Sequence, residues 1–167
     1  MQRWPVSMLI QLELLALIII ANGAPIIVAD VLRTRWARPV DGGLHLPGGR
    51  ALFGPAKTWR GLVSALIFTT LGALLLGLPA WVGVLVAASA MLGDLASSFI
   101  KRRLSIAPSD QALGIDQIPE SLLPLLAAQS FITLSAAQIV VLVLAFVVLE
   151  LLVSRVLFKL HLRNRPY

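Results

Sequence analysis

The chain has 167 residues, of which 58% are hydrophobic, and its formal net charge is +6. Its mean hydropathy of +0.89 excludes an ordinary water-soluble domain, and the polar stretches are too short to bury a second core, so we expect one membrane domain covering residues 1–167. In a soluble protein this positive charge would suggest nucleic acid, but basic loops are ordinary in a membrane protein, so we expect no nucleic-acid partner.

The first predicted element is a transmembrane helix from Met8 to Ala29. A helix needs about 20 apolar residues to cross a bilayer, and this stretch is too long for a signal-peptide core, so we expect it to be retained. Near its end lies the segment Asn22–Pro25 (Asn-Gly-Ala-Pro), where Gly and Pro loosen the helix. The Asn22 amide can then satisfy freed backbone groups or a substrate, while a simple kink is the alternative interpretation.

The next loop contains a segment dense in turn residues, Asp41–Arg50 (Asp-Gly-Gly-Leu-His-Leu-Pro-Gly-Gly-Arg). This composition predicts a hairpin-like loop over the membrane face. Both a lid over a site and a plain connector are open interpretations.

The same loop ends in Lys57-Thr58-Trp59-Arg60 at the entry to the second helix. Lys57 offers a point charge and Arg60 a planar fork for phosphate, while Thr58 can cap a helix whose N-terminus favours anions. The glycines around it lack the spacing of a P-loop, and Trp59 also fits an interfacial anchor. This segment is therefore interpreted either as a phosphate-binding site or as an ordinary basic residue cluster at the start of a helix.

Helices two and three are predicted at Gly61–Leu78 and Ala80–Ile100, joined around Pro79 as a helical hairpin. Asp94 lies in the last third of helix three, where an ionisable group is costly and is by default a functional candidate. The alternative is a carboxylate held in a salt bridge within the bundle.

Polar residues follow Asp94 at helical spacing, three, four and seven positions later: Ser97, Ser98 and Lys101. They share one helix stripe with the carboxylate. The axial rise from Asp94 to Lys101 is about 10 Å, comparable to an extended triphosphate, so a metal at one end and phosphates at the other is a workable geometry. Arg102 and Arg103 are equally explained as a topology signal.

The following loop returns acidic residues to the basic face. Asp116 and Gln117 stand just before helix four, close to the expected position of Lys101, so Asp94 and Asp116 are candidates to share Mg²⁺. Glu120 is interpreted as a marker of the helix start, where acidic residues are favoured.

The apolar run from Ser121 to Leu160 is too long for one crossing, since roughly 40 helical residues measure about 60 Å. We therefore divide it at the polar interruption into a fourth helix at Glu120–Leu134 and a fifth at Ala137–Phe158. The predicted fold is all-α, with five transmembrane helices and a site formed by cytoplasmic loops.

The basic residues set the expected orientation. With five crossings, thirteen of the fourteen Lys and Arg residues lie on one side, the exception being Arg3. The positive-inside rule makes that side cytoplasmic, which predicts a multi-pass protein of the cell inner membrane with its N-terminus outside and its C-terminus, including Arg163 and Arg165, in the cytoplasm.

Two common kinds of site lack support in the sequence. The chain has no cysteine, and its two histidines, His45 and His161, are isolated from each other and from ligand-spaced partners. Neither a zinc site nor a Ser-His-Asp relay is expected.

The ordered motifs resemble the CDP-archaeol synthase family, which is related to phosphatidate cytidylyltransferases. The matching segments are Asn22–Pro25, Asp41–Gly43, Lys57–Gly61, Gly93-Asp94 with Ser98–Arg103, and Asp116-Gln117. Two features differ from the family pattern: Ala56 stands where members often have Ser or Asn before the Lys-Thr-Trp run, and Ile118, Pro119 and Glu120 stand where members often have an acidic residue after Asp-Gln. The second difference leaves the number of metal ions open.

The resemblance implies Mg²⁺-dependent transfer of CMP from CTP to a lipid phosphate, giving a CDP-lipid and pyrophosphate. It implies catalytic roles for Lys57, Asp94, Lys101 and Asp116, the two aspartates being metal ligands. The implied substrate-binding residues are Asn22, Asp41, Thr58, Arg60, Ser98, Arg102 and Gln117. The acceptor is archaetidic acid-like or phosphatidic acid-like.

Two other classes of protein fit the same composition. One is a small transporter or channel subunit for an anion or lipid, although the sequence has no internal repeat of the kind many transporters show. The other is a non-catalytic membrane scaffold whose basic face binds anionic lipid.

Overall fold

The computed structural model describes Trp4, residues 6–107, Asp110 and residues 112–159. Apart from isolated β-bridges, the regular structure of these residues is helical. Five helices follow one another: α1 Met8–Leu32, α2 Trp59–Leu75, α3 Ala80–Arg103, α4 Gln117–Ala128 and α5 Ala136–Lys159. The predicted basic residues Arg3, Arg163 and Arg165, and His161, lie outside the described residues.

The helix boundaries lie close to those predicted, except in the fourth helix. Helix α4 ends at Ala128 rather than at Leu134, and the chain then turns before α5. A reciprocal cap explains the start of α5, because Ser135 Oγ accepts from the Gln138 amide and Gln138 Oε1 accepts from the Ser135 amide.

Within the described part of the chain, three helices are long and apolar enough to cross a membrane: Met8–Leu32, Ala80–Arg103 and Ala136–Val156. Helix α2 is apolar but has 17 residues. Helix α4 has 12 residues and is therefore about 18 Å long, which is shorter than the hydrocarbon core of about 30 Å. The protein is thus an all-helical, multi-pass membrane protein.

Helix α3 lies at the centre of the bundle, packed on α2 and on α4, while α1 packs on α2 and α3. Glycines permit the two α3 contacts. A Cβ on Gly83 would lie 2.6 Å from the Thr70 Cα, and a Cβ on Gly93 would lie 2.2 Å from the Pro119 carbonyl oxygen. Large apolar side chains point outward from α2 and α5, for example Ile67, which is the surface that lipid tails would cover.

The two ends of the bundle differ in chemistry. At one end, the rings of Trp4, Trp81 and Phe131 pack together, and the Trp4 amide donates to the Phe131 carbonyl at 2.7 Å. The opposite end contains the long α1–α2 loop, the end of α3 and the start of α4. The polar side chains singled out in the sequence gather at this second end.

Candidate active site

The central contact of the site is a salt bridge between Lys57 and Asp94. Lys57 precedes α2 and Asp94 lies on α3, so the α2–α3 packing brings together residues 37 positions apart. Both side chains are partly buried, Lys57 being 24% and Asp94 16% exposed. The carboxylate is therefore paired within the bundle, and a small part of the Asp94 side chain stays exposed.

A second salt bridge lies close enough to the first for the charges of the two pairs to interact. Lys101 Nζ is 2.8 Å from Asp116 Oδ1 and also donates to the Asp110 carbonyl at 2.8 Å. Asp116 in turn accepts from the Ala112 amide, which orders the loop between α3 and α4. The four residues assigned catalytic roles therefore come together as two lysine–carboxylate pairs.

Glu120 joins the first pair. It is buried in the first turn of α4, and its carboxyl group lies next to that of Asp94. Gly93 allows this contact, because α4 backbone occupies the space where a side chain would begin.

The position of Lys57 keeps its ammonium group charged. Burial acts to lower the pKa of Lys57, but the carboxyl groups of Asp94, Glu120 and Asp116 outweigh burial and hold the pKa above the ordinary lysine value. A cation at this point suits the phosphates of an anionic substrate.

Asp41 organises the α1–α2 loop. Its carboxylate accepts from the backbone amides of Gly43, Phe53 and Gly54 at 2.9–3.0 Å. Burial acts to raise the pKa of Asp41, but the three amide donors lower it overall. The predicted hairpin is confirmed, because His45 and Ala51 form an antiparallel bridge within this loop.

The hairpin is fastened to α3 by two arginines. Arg50 donates to the Arg103 carbonyl at 2.6 Å, and Arg103 donates to the Ala51 carbonyl at 2.6 Å while its guanidinium lies over the Phe99 ring. The loop therefore lies against the end of α3, over the same end of the bundle as the two salt bridges.

Three of the predicted substrate-binding residues lie within four positions of a paired residue along the chain. Thr58 Oγ1 caps α2 by accepting from the Gly61 amide. Ser98 and Arg102 are buried on α3, and Arg102 Nε has no hydrogen-bond partner within the described part of the chain. A buried, unsatisfied guanidinium nitrogen is costly unless a ligand completes it.

The others make contacts within the protein. Gln117 is buried, and its Oε1 accepts from the Gly114 amide at 2.8 Å. Asn22 donates to the Ile18 carbonyl one turn earlier in α1. Arg60 Nη1 donates to the carbonyls of Arg33 and Arg35 at 2.6 Å, so this arginine holds the end of α1 against α2.

The carboxylates of the site are suitable ligands for magnesium, but they do not complete a metal-binding site by themselves. Among the residues that the structure describes, no three His, Cys, Asp or Glu side chains are grouped to hold a metal by themselves. Mg²⁺ in phosphoryl-transfer sites usually takes one or two carboxylates, with substrate phosphates and water completing its shell. The partly exposed oxygens of Asp94 and Asp116 fit that pattern.

The sequence interpretation gave no role in the site to two acidic residues, Glu120 and Glu150. Glu120 follows Asp116 by four positions and so lies on the same helix face, which was the available signal. Glu150 interrupts the apolar run of α5 and lies close enough to Glu120 to affect it electrostatically. An acidic residue inside an apolar span is by default a functional candidate, so this signal was also in the sequence.

A family model described as CarS-like, CDP-archaeol synthase, matches residues 79–167. The CDP-archaeol synthase of Thermofilum pendens is 34% identical over 154 residues, covering 89% of this chain and 76% of that protein. The CDP-archaeol synthase of Sulfurisphaera tokodaii is 35% identical over 156 residues, covering 89% of this chain and 90% of that protein.

A solved structure agrees with these relatives. It is described as an intramembrane enzyme for archaeal membrane lipids biosynthesis, and it superimposes with a TM-score of 0.77 at 31% sequence identity. The match covers 92% of this chain and 98% of that one. Sequence and fold therefore both confirm the resemblance that the motifs indicated.

Proposed function

The chain belongs to the CDP-archaeol synthase family, and from that membership and the geometry of the site we propose how it acts. It is a cytidylyltransferase that transfers CMP from CTP to a lipid phosphate, giving a CDP-lipid and pyrophosphate. The residue assignments rest on one observation: the Lys57–Asp94 and Lys101–Asp116 pairs lie close together at one end of the bundle. Membership of this family favours an enzyme over a transporter or a scaffold.

An oxygen of the lipid phosphate attacks the α-phosphorus of CTP in line. The new phosphorus–oxygen bond forms as the bond to the oxygen bridging the α- and β-phosphorus breaks, and pyrophosphate leaves with that oxygen. Lys57, Lys101 and Arg102 neutralise charge on the phosphates, while Thr58 and Ser98 orient them. Positioning and electrostatic stabilisation carry such a reaction, so the protein needs no covalent nucleophile.

Magnesium is part of this proposal. Asp94 and Asp116 would hold the ion, and Glu120, which lies next to Asp94, would help to orient that ligand. When bound, the ion would neutralise negative charge on the nucleotide phosphates.

We also propose five membrane crossings by one domain of residues 1–167, with the N-terminus outside and the C-terminus in the cytoplasm of an inner-membrane protein. The contact between Trp4 and Phe131 supports this topology. This contact places the turn after α4 at the same end of the bundle as the start of α1. Helix α4 together with that turn therefore reaches the end opposite the basic residues.

The lipid acceptor can be identified directly. Purified protein in detergent or nanodiscs is given CTP, Mg²⁺ and a panel of lipid phosphates that includes archaetidic acid and phosphatidic acid, and pyrophosphate release is measured. We expect release with at least one of them and none with the matching lipid that lacks the phosphate. A folded preparation that releases no pyrophosphate with any acceptor would refute the proposed reaction.

A further inference from the structure

A groove opens on the membrane-facing side of the bundle, between the last turns of α1 and the first turns of α2. Its volume is about 740 Å³, within the range of small-molecule sites. Apolar side chains from both helices line most of it, including Val28, Leu32, Val63, Ile67 and Phe68. From Trp59 to Phe68 the α2 wall is about 13 Å long, enough for the first part of a hydrocarbon chain.

The end of the groove nearest the polar site is positively charged. Arg38 and Arg60 line it there. Arg60 Nε is buried and has no hydrogen-bond partner within the described ranges, although Arg60 Nη1 is already bonded to the end of α1. Two guanidinium groups at the mouth of an apolar groove complement a molecule with an anionic head and an apolar tail.

Two tryptophans indicate the level in the bilayer at which this charged end lies. Trp36 is 78% and Trp59 is 54% exposed, although both rings are largely apolar. Tryptophan favours the headgroup level of a bilayer, so Arg38 and Arg60 stand where lipid phosphates lie. Trp36 also has φ of 54°, a left-handed conformation that bulky residues seldom adopt, so the fold holds it in place against that preference.

The charged end of the groove is close to the site along the chain. The Trp59 amide donates to the Arg38 carbonyl at 3.1 Å, which ties the two sides of the charged end together. Lys57 precedes Arg60 by three residues, so their Cα atoms are at most about 11 Å apart. A phosphate at Arg60 is therefore within reach of a nucleotide held at Lys57.

We propose that this groove binds the acceptor lipid of the proposed reaction, on which the inference rests. The phosphate lies between Arg38 and Arg60, and the first part of one chain lies between α1 and α2. The lipid then enters sideways from the cytoplasmic leaflet without leaving the membrane. Arg38 is a lipid-binding residue that the sequence did not single out.

A matched pair of substitutions tests the apolar part. Val63→Trp fills the groove, whereas Val141→Trp places the same ring on the lipid-facing side of α5, where Val141 is 62% exposed. We expect Val63→Trp to raise KM for the lipid phosphate at least about tenfold without changing KM for CTP, and Val141→Trp to change neither. An unchanged lipid KM in Val63→Trp overturns the proposal. A rise confined to KM for CTP assigns the groove to the nucleotide and also overturns it.

The charged end is tested by Arg38→Gln against Arg35→Gln, which removes the same charge from the same loop outside the groove. We expect a raised lipid KM in the first alone. Equal effects in both variants would indicate general surface charge and would overturn the proposal.

A further measurement does not depend on turnover. A lipid phosphate with a photoreactive group in the first third of its chain is cross-linked to the wild-type protein, and the label is mapped by mass spectrometry. We expect label within residues 28–36 or 59–68, and less with the same lipid lacking its phosphate. Label confined to α3 or α5 overturns the groove even if pyrophosphate release supports the reaction. Label in the groove without any turnover supports the groove and refutes the reaction.

Discussion

Asp94 and Lys57 each depend on the other, because each is a partly buried charge whose nearest opposite charge lies on a different segment of the chain. Removing one member of such a pair leaves the other uncompensated. The conservative change Asp94→Asn keeps the shape of the side chain and an oxygen to accept from Lys57, and removes the negative charge. It therefore separates the role of the charge from that of the packing.

We expect Asp94→Asn to lower kcat by at least about 100-fold, a loss typical of removing one electrostatic contact from a site of this kind. Pyrophosphate release measures it, and size-exclusion chromatography verifies that the variant remains folded. Asp30→Asn, at an exposed position near the end of α1, is the matched control and should keep wild-type activity. Activity of Asp94→Asn within about twofold of wild type would refute the assigned role.

Asp41 is expected to stabilise the α1–α2 loop in a pH-dependent way. Folding lowers its pKa, so the stabilisation is complete above the ordinary aspartate value of about 3.9 and is lost as the pH falls through the lower folded value. Hydrogen exchange at the Phe53 and Gly54 amides measures this. We expect Asp41→Asn to weaken their protection at least about tenfold at neutral pH, since charge-assisted hydrogen bonds are replaced by weaker ones. Unaltered protection would show that the loop is held by other contacts.

The candidate site was predictable where chemistry alone makes a residue conspicuous. Asp94 is a carboxylate inside an apolar helix, and Lys57 and Lys101 are cations at helix ends, so these residues stand out as candidates in the sequence alone. The pairing of Lys57 with Asp94 was not predictable, because a contact across 37 residues depends on how α2 packs on α3. Glu120 was taken for a helix-start residue because that role explains an acidic first turn without any tertiary contact.

At the scale of elements, the α3–α4 contact brings two carboxyl groups together. Adding a Cβ to Gly93 would place it 2.2 Å from the Pro119 carbonyl oxygen, a backbone atom that can move only if α4 moves. We expect Gly93→Ala to destabilise the protein by about 1–3 kcal/mol, as overpacking usually does, and to lower activity by separating Asp94 from Glu120.

Thermal unfolding in detergent measures the stability change, and Gly23→Ala is the control. A Cβ on Gly23 meets no atom within 4 Å, and alanine favours the helix, so that variant should be as stable as the wild type or more so. Equal melting temperatures for Gly93→Ala and the wild type would show that the α3–α4 contact is not close.

The helices themselves were largely predictable, because apolar runs of membrane length leave few alternatives. Helix α1 was predicted at Met8–Ala29 and is observed at Met8–Leu32. Helix α4 was placed less well, since the apolar character continues past Ala128 while the backbone turns. Hydropathy indicates which residues are surrounded by lipid or by protein, but it does not indicate the residue at which a helix ends.

At the scale of the whole molecule, the proposed topology is testable because the chain has no cysteine of its own. Single cysteines are introduced at the exposed positions His45, Leu76 and Thr133. With five crossings, a membrane-impermeant thiol reagent applied from outside should label Leu76→Cys and Thr133→Cys, and should label His45→Cys only after the membrane is opened. Protection of Thr133→Cys from outside would show that α4 does not complete a crossing.

The two lysine–carboxylate pairs also determine how the molecule behaves between turnovers. Each lysine is already paired with a carboxylate, so we expect phosphates and metal ions to bind by replacing these internal partners. A phosphate that binds a lysine frees the carboxylate of that salt bridge, and a metal ion that binds a carboxylate frees the lysine. Nucleotide and magnesium affinities should consequently be linked, and linkage is reciprocal: the factor by which magnesium tightens CTP binding equals the factor by which CTP tightens magnesium binding. Calorimetric titration of each in the presence and absence of the other measures both factors.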